Sequence, residues 1–222
     1  MKTTGMRFAT AAVAALLLAF TGVASADDQP ANVPSHEPSA SGLRFGLRTG
    51  VALPFGSAFT GSGSLSDTIT GYVPIRADIG FRIARHLYVG VNGELGKIVP
   101  AQCVSGFSCS GTHTRIGLMA AYHFRPSATF DPYVGAGTGY EVLHTSRSID
   151  SAGVDITARG FELLDLEAGG DVRLARAWRI GPVLSGSLGR FTSIAVNGTT
   201  STDYETALHA WAMLGLRGAF DL

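Results

Sequence analysis

The sequence predicts an all-β fold: a closed, eight-stranded antiparallel up-and-down barrel whose strands cross a membrane. Three observations predict it. From Leu43 onward, apolar and polar side chains alternate with period two, the spacing of a strand with two unlike faces. Asp, Glu, Lys and Arg keep to one of those faces. No apolar run long enough for a membrane helix follows the N-terminal segment. A chain with an apolar outer face then crosses a bilayer only as a closed barrel, where every backbone donor and acceptor finds a partner strand.

The N-terminus reads as an export signal. Lys2 and Arg7 supply a positive start, Ala11 to Phe20 an apolar stretch, and Ala24-Ser25-Ala26 a small-x-small cleavage site. Residues 1–26 are therefore expected to be removed near Ala26, and no Cys near the cut offers a lipid anchor. Without Lys2 and Arg7, 15 of the 17 basic residues remain against 17 acidic ones, a near-balance that argues against nucleic acid as a partner. Lys97 is the only Lys after the signal. Residues 27–42, with Pro30, Pro34 and Pro38 among Ser and Ala, read as a disordered periplasmic lead-in.

Eight strands follow, at 43–53, 72–83, 87–96, 113–124, 132–143, 161–174, 179–190 and 206–222, forming one barrel domain over 43–222. In the first, Leu43, Phe45, Leu47, Val51 and Leu53 share a face, with Arg44 and Arg48 opposite. In the second, Val73, Ile75, Ala77, Ile79, Phe81 and Ile83 oppose Arg76, Asp78 and Arg82. In the last, Leu208, Leu214, Leu216 and Phe220 oppose His209, Trp211, Arg217 and Asp221. The inward face is expected to carry Arg44, Arg48, Arg76, Asp78, Arg82, Glu94, Arg115, Glu141, Asp165, Glu167, Asp171, Arg173, Arg179, Arg217 and Asp221. Glu162 and Arg190 break the alternation and fall on the outer face near strand ends. Arg or Lys at the lipid midplane costs roughly 2–4 kcal/mol, which is the pressure that clears the outer face.

Connections alternate in length. Residues 54–71, 97–112, 144–160 and 191–205 are long and rich in Gly, Ser and Thr; 84–86, 125–131 and 175–178 are short. Long extracellular loops and short periplasmic turns are the expected assignment. Phe81, Tyr122, Phe124, Trp178 and Phe220 would form the periplasmic aromatic girdle, and Tyr140 the outer one. Pro74 and Pro182 fall inside strands, and Pro182 suggests a bulge. Cys103 and Cys109 are expected to form a disulfide closing a small loop in an oxidising compartment. With only His113 nearby, they are too few for a metal site, and nothing in the chain calls for a cofactor.

Gly46-Leu47-Arg48-Thr49-Gly50, Tyr88-Val89-Gly90-Val91 and Pro132-Tyr133-Val134-Gly135-Ala136-Gly137-Thr138-Gly139-Tyr140 resemble the small outer-membrane β-barrel proteins of the OmpA/OmpW-like superfamily. The resemblance covers the whole chain after the signal and its motifs are structural. It implies the outer membrane of a Gram-negative bacterium. The implied surroundings are outer-membrane lipid and lipopolysaccharide, with the barrel-assembly machinery as a partner. Members usually end in Phe or Trp, whereas this chain ends Phe220-Asp221-Leu222, with the aromatic two residues early.

Function divides three ways. Eight Arg against seven acids should cross-pair and fill a lumen only wide enough for side chains, favouring a non-catalytic structural or surface-interaction protein. The alternative is a narrow passive channel for small or apolar solutes. A third reading takes His144 and Ser146, with Glu162 as a third member, as a lipid A-modifying hydrolase, since such a pair on a barrel exterior resembles lipid A deacylases. Gly135, Gly137 and Gly139 match half a nucleotide fingerprint, but no helix follows them. Ile149 to Asp155 holds too few carboxylates for a Ca²⁺ loop.

Overall fold

The computed structural model describes residues 41–222 apart from 102, 104, 150, 151, 203 and 204. The signal peptide expected at 1–26 lies outside the described residues, as does all but the end of the lead-in at 27–42. The elements are β1 (Gly42–Gly56), α1 (Leu65–Thr68), β2 (Ile69–Ile83), β3 (Leu87–Pro100), β4 (Ser108–His123), β5 (Phe130–Ile149), β6 (Ala152–Arg173), β7 (Trp178–Val196), β8 (Thr199–Ser201) and β9 (Leu208–Asp221). β1 to β7 each pair antiparallel with the next, and β9 returns between β7 and β1 to close the ring. β8 only folds back on the end of β7. The ring is the eight-stranded up-and-down barrel that the period-two pattern predicts.

The alternation inverts the arrangement of a soluble protein. Arg44, Arg48, Arg76 and Arg217 are at most 1% exposed, while Leu95 and Ile116 are 67% and 66% exposed. Adjacent residues of one strand therefore meet opposite surroundings, as the pleat requires. The apolar outer face includes Leu47, Val51, Ile75, Leu118, Leu214 and Leu216, all exposed.

Strand ends differ from those drawn on the sequence. The stretch 144–160 is not a long loop: β5 runs to Ile149 and β6 starts at Ala152, with Thr145 opposite Ile156 and Arg147 opposite Val154. β-branched Thr favours strands, and Ser, which reads as a loop residue, is carried along where the neighbouring strands pair with it. The connection expected at 191–205 also holds structure: β7 continues to Val196 and turns into β8 through Asn197 and Gly198, at φ 48° and 83°. Positive φ at both central residues is the hairpin turn whose twist matches the strands, and Asn-Gly is its preferred pair. The 54–71 connection contains α1, capped by Ser64 and Asp67 in a reciprocal capping box.

Pro182 does not mark a bulge. The β6–β7 register is the same on either side of it, from Gly169–Val183 to Val172–Ile180, with only the rungs between missing. A proline without N–H opens a gap in the ladder and leaves the register alone. At Pro74 the β1–β2 ladder has a similar gap, and the Thr49 hydroxyl donates to the Pro74 carbonyl at 2.8 Å.

The bulge that changes the face of charged residues lies in β6; a second shift, between Arg159–Ser193 and Gly160–Phe191, inserts a residue on the β7 side. Gly137 pairs with Asp165 but Gly139 with Glu162, and Glu162 pairs with Gly189 but Leu164 with Leu188. One extra residue, Leu163, is inserted. Leu163 and Leu164 then both face outward, and everything before them changes face. Glu162, expected outside, is therefore 5% exposed on the inner face.

Candidate functional site: the charged lumen

The inward side chains stack in layers from the end holding the barrel termini to the loop end. At the terminal end Asp221 accepts from Arg44 Nε at 2.7 Å, Arg82 at 3.0 Å and Arg179 Nε at 3.3 Å. Three guanidiniums on three strands thus converge on the carboxylate of β9. Arg44 also donates to His123 Nε2 at 2.7 Å. Because a guanidinium cannot accept, that nitrogen carries no proton, so His123 Nδ1–H donates to Asp131 at 2.9 Å. Arg173 and Arg179 donate to the Pro126 carbonyl at 2.8 and 2.6 Å, tying the β4–β5 turn across the opening.

The next layer joins Arg217 to Asp171 at 3.1 Å and Arg48 to Asp78 at 2.8 Å, with Arg48 also bound to Glu167. Tyr88 donates to Asp78 at 2.8 Å, and the Arg217 guanidinium lies 4.8 Å from the centre of the Tyr133 ring. Above it, Glu94 accepts from Arg76 at 2.7 Å, Arg115 at 2.9 Å and Tyr72 at 2.9 Å. Arg76 reaches on to Asp165 at 2.5 Å, and Arg115 to Glu162 at 2.6 Å. Each of these pairs joins strands across the bore or around it.

The fourth layer is built differently. Glu141 accepts from His209 Nε2 at 2.7 Å and His113 Nε2 at 3.1 Å, with no guanidinium in hydrogen-bond reach among the described residues. Gly189 makes room for it: a Cβ there would stand 2.2 Å from Glu141 Oε1 and 2.7 Å from His209 Nε2. Trp211 packs beside His113 and Tyr72.

Over this layer the interior turns apolar. Phe59, Leu65, Ile69, Ile98, Leu143 and Phe191 form a buried cluster. Phe59 and Leu65 come from the β1–β2 connection. Their loop is pinned by the Thr60 N–H to the Glu205 carbonyl at 2.8 Å and by a bridge between Phe59 and Thr206. Phe191 stacks on His209 at 4.1 Å, joining the apolar layer to the imidazoles.

Among the described residues the lumen holds nine carboxylates, eight guanidiniums and three imidazoles. Four of these groups are not among those expected inside from the sequence. Asp131 lies one residue before the strand start drawn for 132–143, and extending the alternation by one step finds it. Glu162 was assigned to the wrong face because period-two counting assumes an unbroken strand. His113 and His123 sit at inward parity but escape a count of Asp, Glu, Lys and Arg, whereas His209 is the one imidazole already expected inside. His113 and His209 matter to the balance, since among the described residues they alone serve Glu141, while His123 serves Asp131.

Of the other candidates, Cys103 and Cys109 form the disulfide, with Cα atoms 6.0 Å apart at the foot of β4. His144 lies on the outer wall, its Nδ1 3.0 Å from the Thr157 hydroxyl. Glu162 is on the other side of that wall, engaged by Arg115, so it does not join His144 and Ser146. Among the described residues no group of three His, Cys, Asp or Glu side chains is placed to hold a metal ion.

No protein-family model matches the chain, and no curated protein shows significant sequence similarity to it. Solved structures do resemble it. The outer membrane protein OprG from Pseudomonas aeruginosa is 14% identical, with 86% of this chain and 100% of that chain covered at a TM-score of 0.48. A major outer membrane protein from Thermus thermophilus is 12% identical, over 81% and 99%, at 0.47. Neisserial surface protein A is 17% identical, over 81% and 96%, at 0.46. The barrel assignment stands on the strand pairing itself.

Proposed function

We propose that this chain is a non-catalytic outer-membrane barrel that acts as a rigid membrane-spanning platform for surface contacts, its lumen closed by its own side chains. The observation that carries this reading is the cross-paired lumen. Guanidiniums and carboxylates link strands at successive heights, and an apolar layer lies over them at the loop end. Moving an ion through that column requires breaking pairs whose members are already out of water, which costs several kcal/mol per stranded charge.

The outer face supports the membrane placement. Leu, Ile, Val and Phe side chains encircle the barrel with no charge among them at mid-height. Fully burying each such side chain contributes roughly 1.5–3 kcal/mol, a gain that hydrocarbon surroundings supply and water does not. The 14 residues of β9 and 15 of β1 exceed the ~9–11 that a tilted strand needs to cross. In this reading residues 1–26 direct export, 27–42 lead in from the periplasm, and the β1–β2, β3–β4, β5–β6 and β7–β9 connections face outward.

The test is current through planar bilayers. Wild-type protein is expected to give no steady conductance. Large ohmic currents would overturn the closed lumen and establish the channel reading instead.

A further inference from the structure

We infer that the outer wall at β6–β7 binds a phosphate-bearing, multiply acylated membrane lipid, with Arg159 and Arg190 as its anion-binding pair. The inference rests on the membrane placement proposed above. Among the described outward positions of the eight ring strands, the apolar belt carries no charge. The first charges met toward the loop end are all cations: Lys97 on β3, Arg159 on β6 and Arg190 on β7. Only the last two lie on neighbouring strands.

Their register brings them together. Phe161 pairs with Arg190, and Arg159, two residues further along β6, pairs with Ser193. Both arginines are exposed. Among the described residues neither meets a carboxylate, whereas seven of the eight lumen arginines do. Arg190 Nε is steadied by the Thr206 hydroxyl. Thr192, exposed between the two arginines, adds a further hydroxyl, 3.3 Å from the Arg159 carbonyl. Two planar guanidiniums with a hydroxyl beside them suit the oxygens of a phosphate.

The surface beneath suits acyl chains. The Leu163 bulge puts Phe161, Leu163 and Leu164 together on the outer face, beside Leu166 and Leu188. Tyr140 packs edge-on against Phe161 at 5.4 Å, marking the level where an aromatic girdle meets head groups. Head-group cations therefore stand directly over a widened apolar strip. The same bulge that turns Glu162 inward turns Arg159 outward, so one inserted residue builds both.

The test is native mass spectrometry of the detergent-solubilised full chain, titrated with bisphosphorylated lipid A, its dephosphorylated form, and phosphatidylcholine. Wild type is expected to hold the bisphosphorylated lipid at least about tenfold more tightly than the dephosphorylated one. The preference should collapse in Arg159→Ala/Arg190→Ala and persist in Lys97→Ala. Equal affinity for the two lipid A forms, or an unchanged preference in the double variant, overturns the proposal. If the double variant does not fold, the two-lipid comparison on wild type still decides. A wild-type chain that fails to insert into phosphatidylcholine vesicles would instead overturn the membrane placement.

Discussion

At the scale of single residues, the same substitution logic works in opposite directions on the two faces. Arg76 binds Glu94 and Asp165, and Asp165 has no other cation partner among the described residues. Arg76→Leu is therefore expected to cost about 3–5 kcal/mol, because it leaves a buried carboxylate alone. Urea-induced unfolding of vesicle-inserted protein measures it, and wild-type stability in that variant would refute the pairing. Leu214 sits at the centre of β9 on the outer face, 55% exposed. There Leu214→Arg should cost roughly 2–4 kcal/mol in the same assay, since the cation meets hydrocarbon. In a soluble protein the second change would be nearly silent, so the pair of measurements separates lipid from water as the outer surroundings.

At the scale of elements, the β6 bulge and the β3–β4 loop make contrasting predictions. Leu163 matters for its place in the chain. Leu163→Ala keeps the bulge and should leave folding intact. Deleting Leu163 removes the register shift, sending Glu162 to the lipid side and Arg159 toward the lumen. The deletion variant is expected to fail to acquire the compact form that migrates differently from boiled protein in detergent gels; normal migration would show that the strand can re-register. The disulfide should matter little by comparison. Cys103 and Cys109 are separated by six positions, and the bridge ties the β3–β4 connection to the first residues of β4. Cys103→Ser/Cys109→Ser is expected to fold and to show the same gel shift, because closing so short a loop removes little chain entropy. The exported wild-type chain should be about 2 Da lighter than its reduced form, as an oxidising compartment implies.

For the whole molecule, closure of the ring leaves no free edge along the eight strands, and the lumen is filled from both ends. The terminal end is bound around Asp221 and Asp131, the loop end by the apolar cluster under the β1–β2 connection. Asp165 holds Arg76 and Glu167 holds Arg48. Replacing both acids with Ala removes one of the two carboxylates that each guanidinium holds, leaving Arg76 on Glu94 and Arg48 on Asp78 alone and the bore more positive by two charges. Small anion-preferring currents are then expected where wild type gives none, because the remaining cations attract anions. Silence in the double variant would mean that the apolar cluster alone closes the barrel.

The sequence by itself determined the ring and its two faces. Period-two alternation from Leu43 to Leu222 is a local property of each strand. Gly and Ser-Thr clusters punctuate it, and the inward parity of Arg44, Arg48, Arg76, Arg115 and Arg217 followed directly. It did not determine which rung faces which. Leu163 looks like any other apolar residue in an apolar stretch, and only the pairing of its flanking residues Glu162, Leu164 and Asp165 with Gly137, Gly139, Gly189 and Leu188 on the two neighbouring strands makes it an insertion. The hairpin extension of β5 and β6 was hidden for a similar reason, since Thr, Ser and Gly form strand there only because β4 and β7 cover both edges. The partners of each charge were hidden as well. Alternation says that Glu141 points inward, but the choice of two histidines over an arginine depends on shear between strands far apart in sequence. Tertiary structure decided that, because neighbours around a closed ring are fixed by register summed over every strand, and one inserted residue changes the sum.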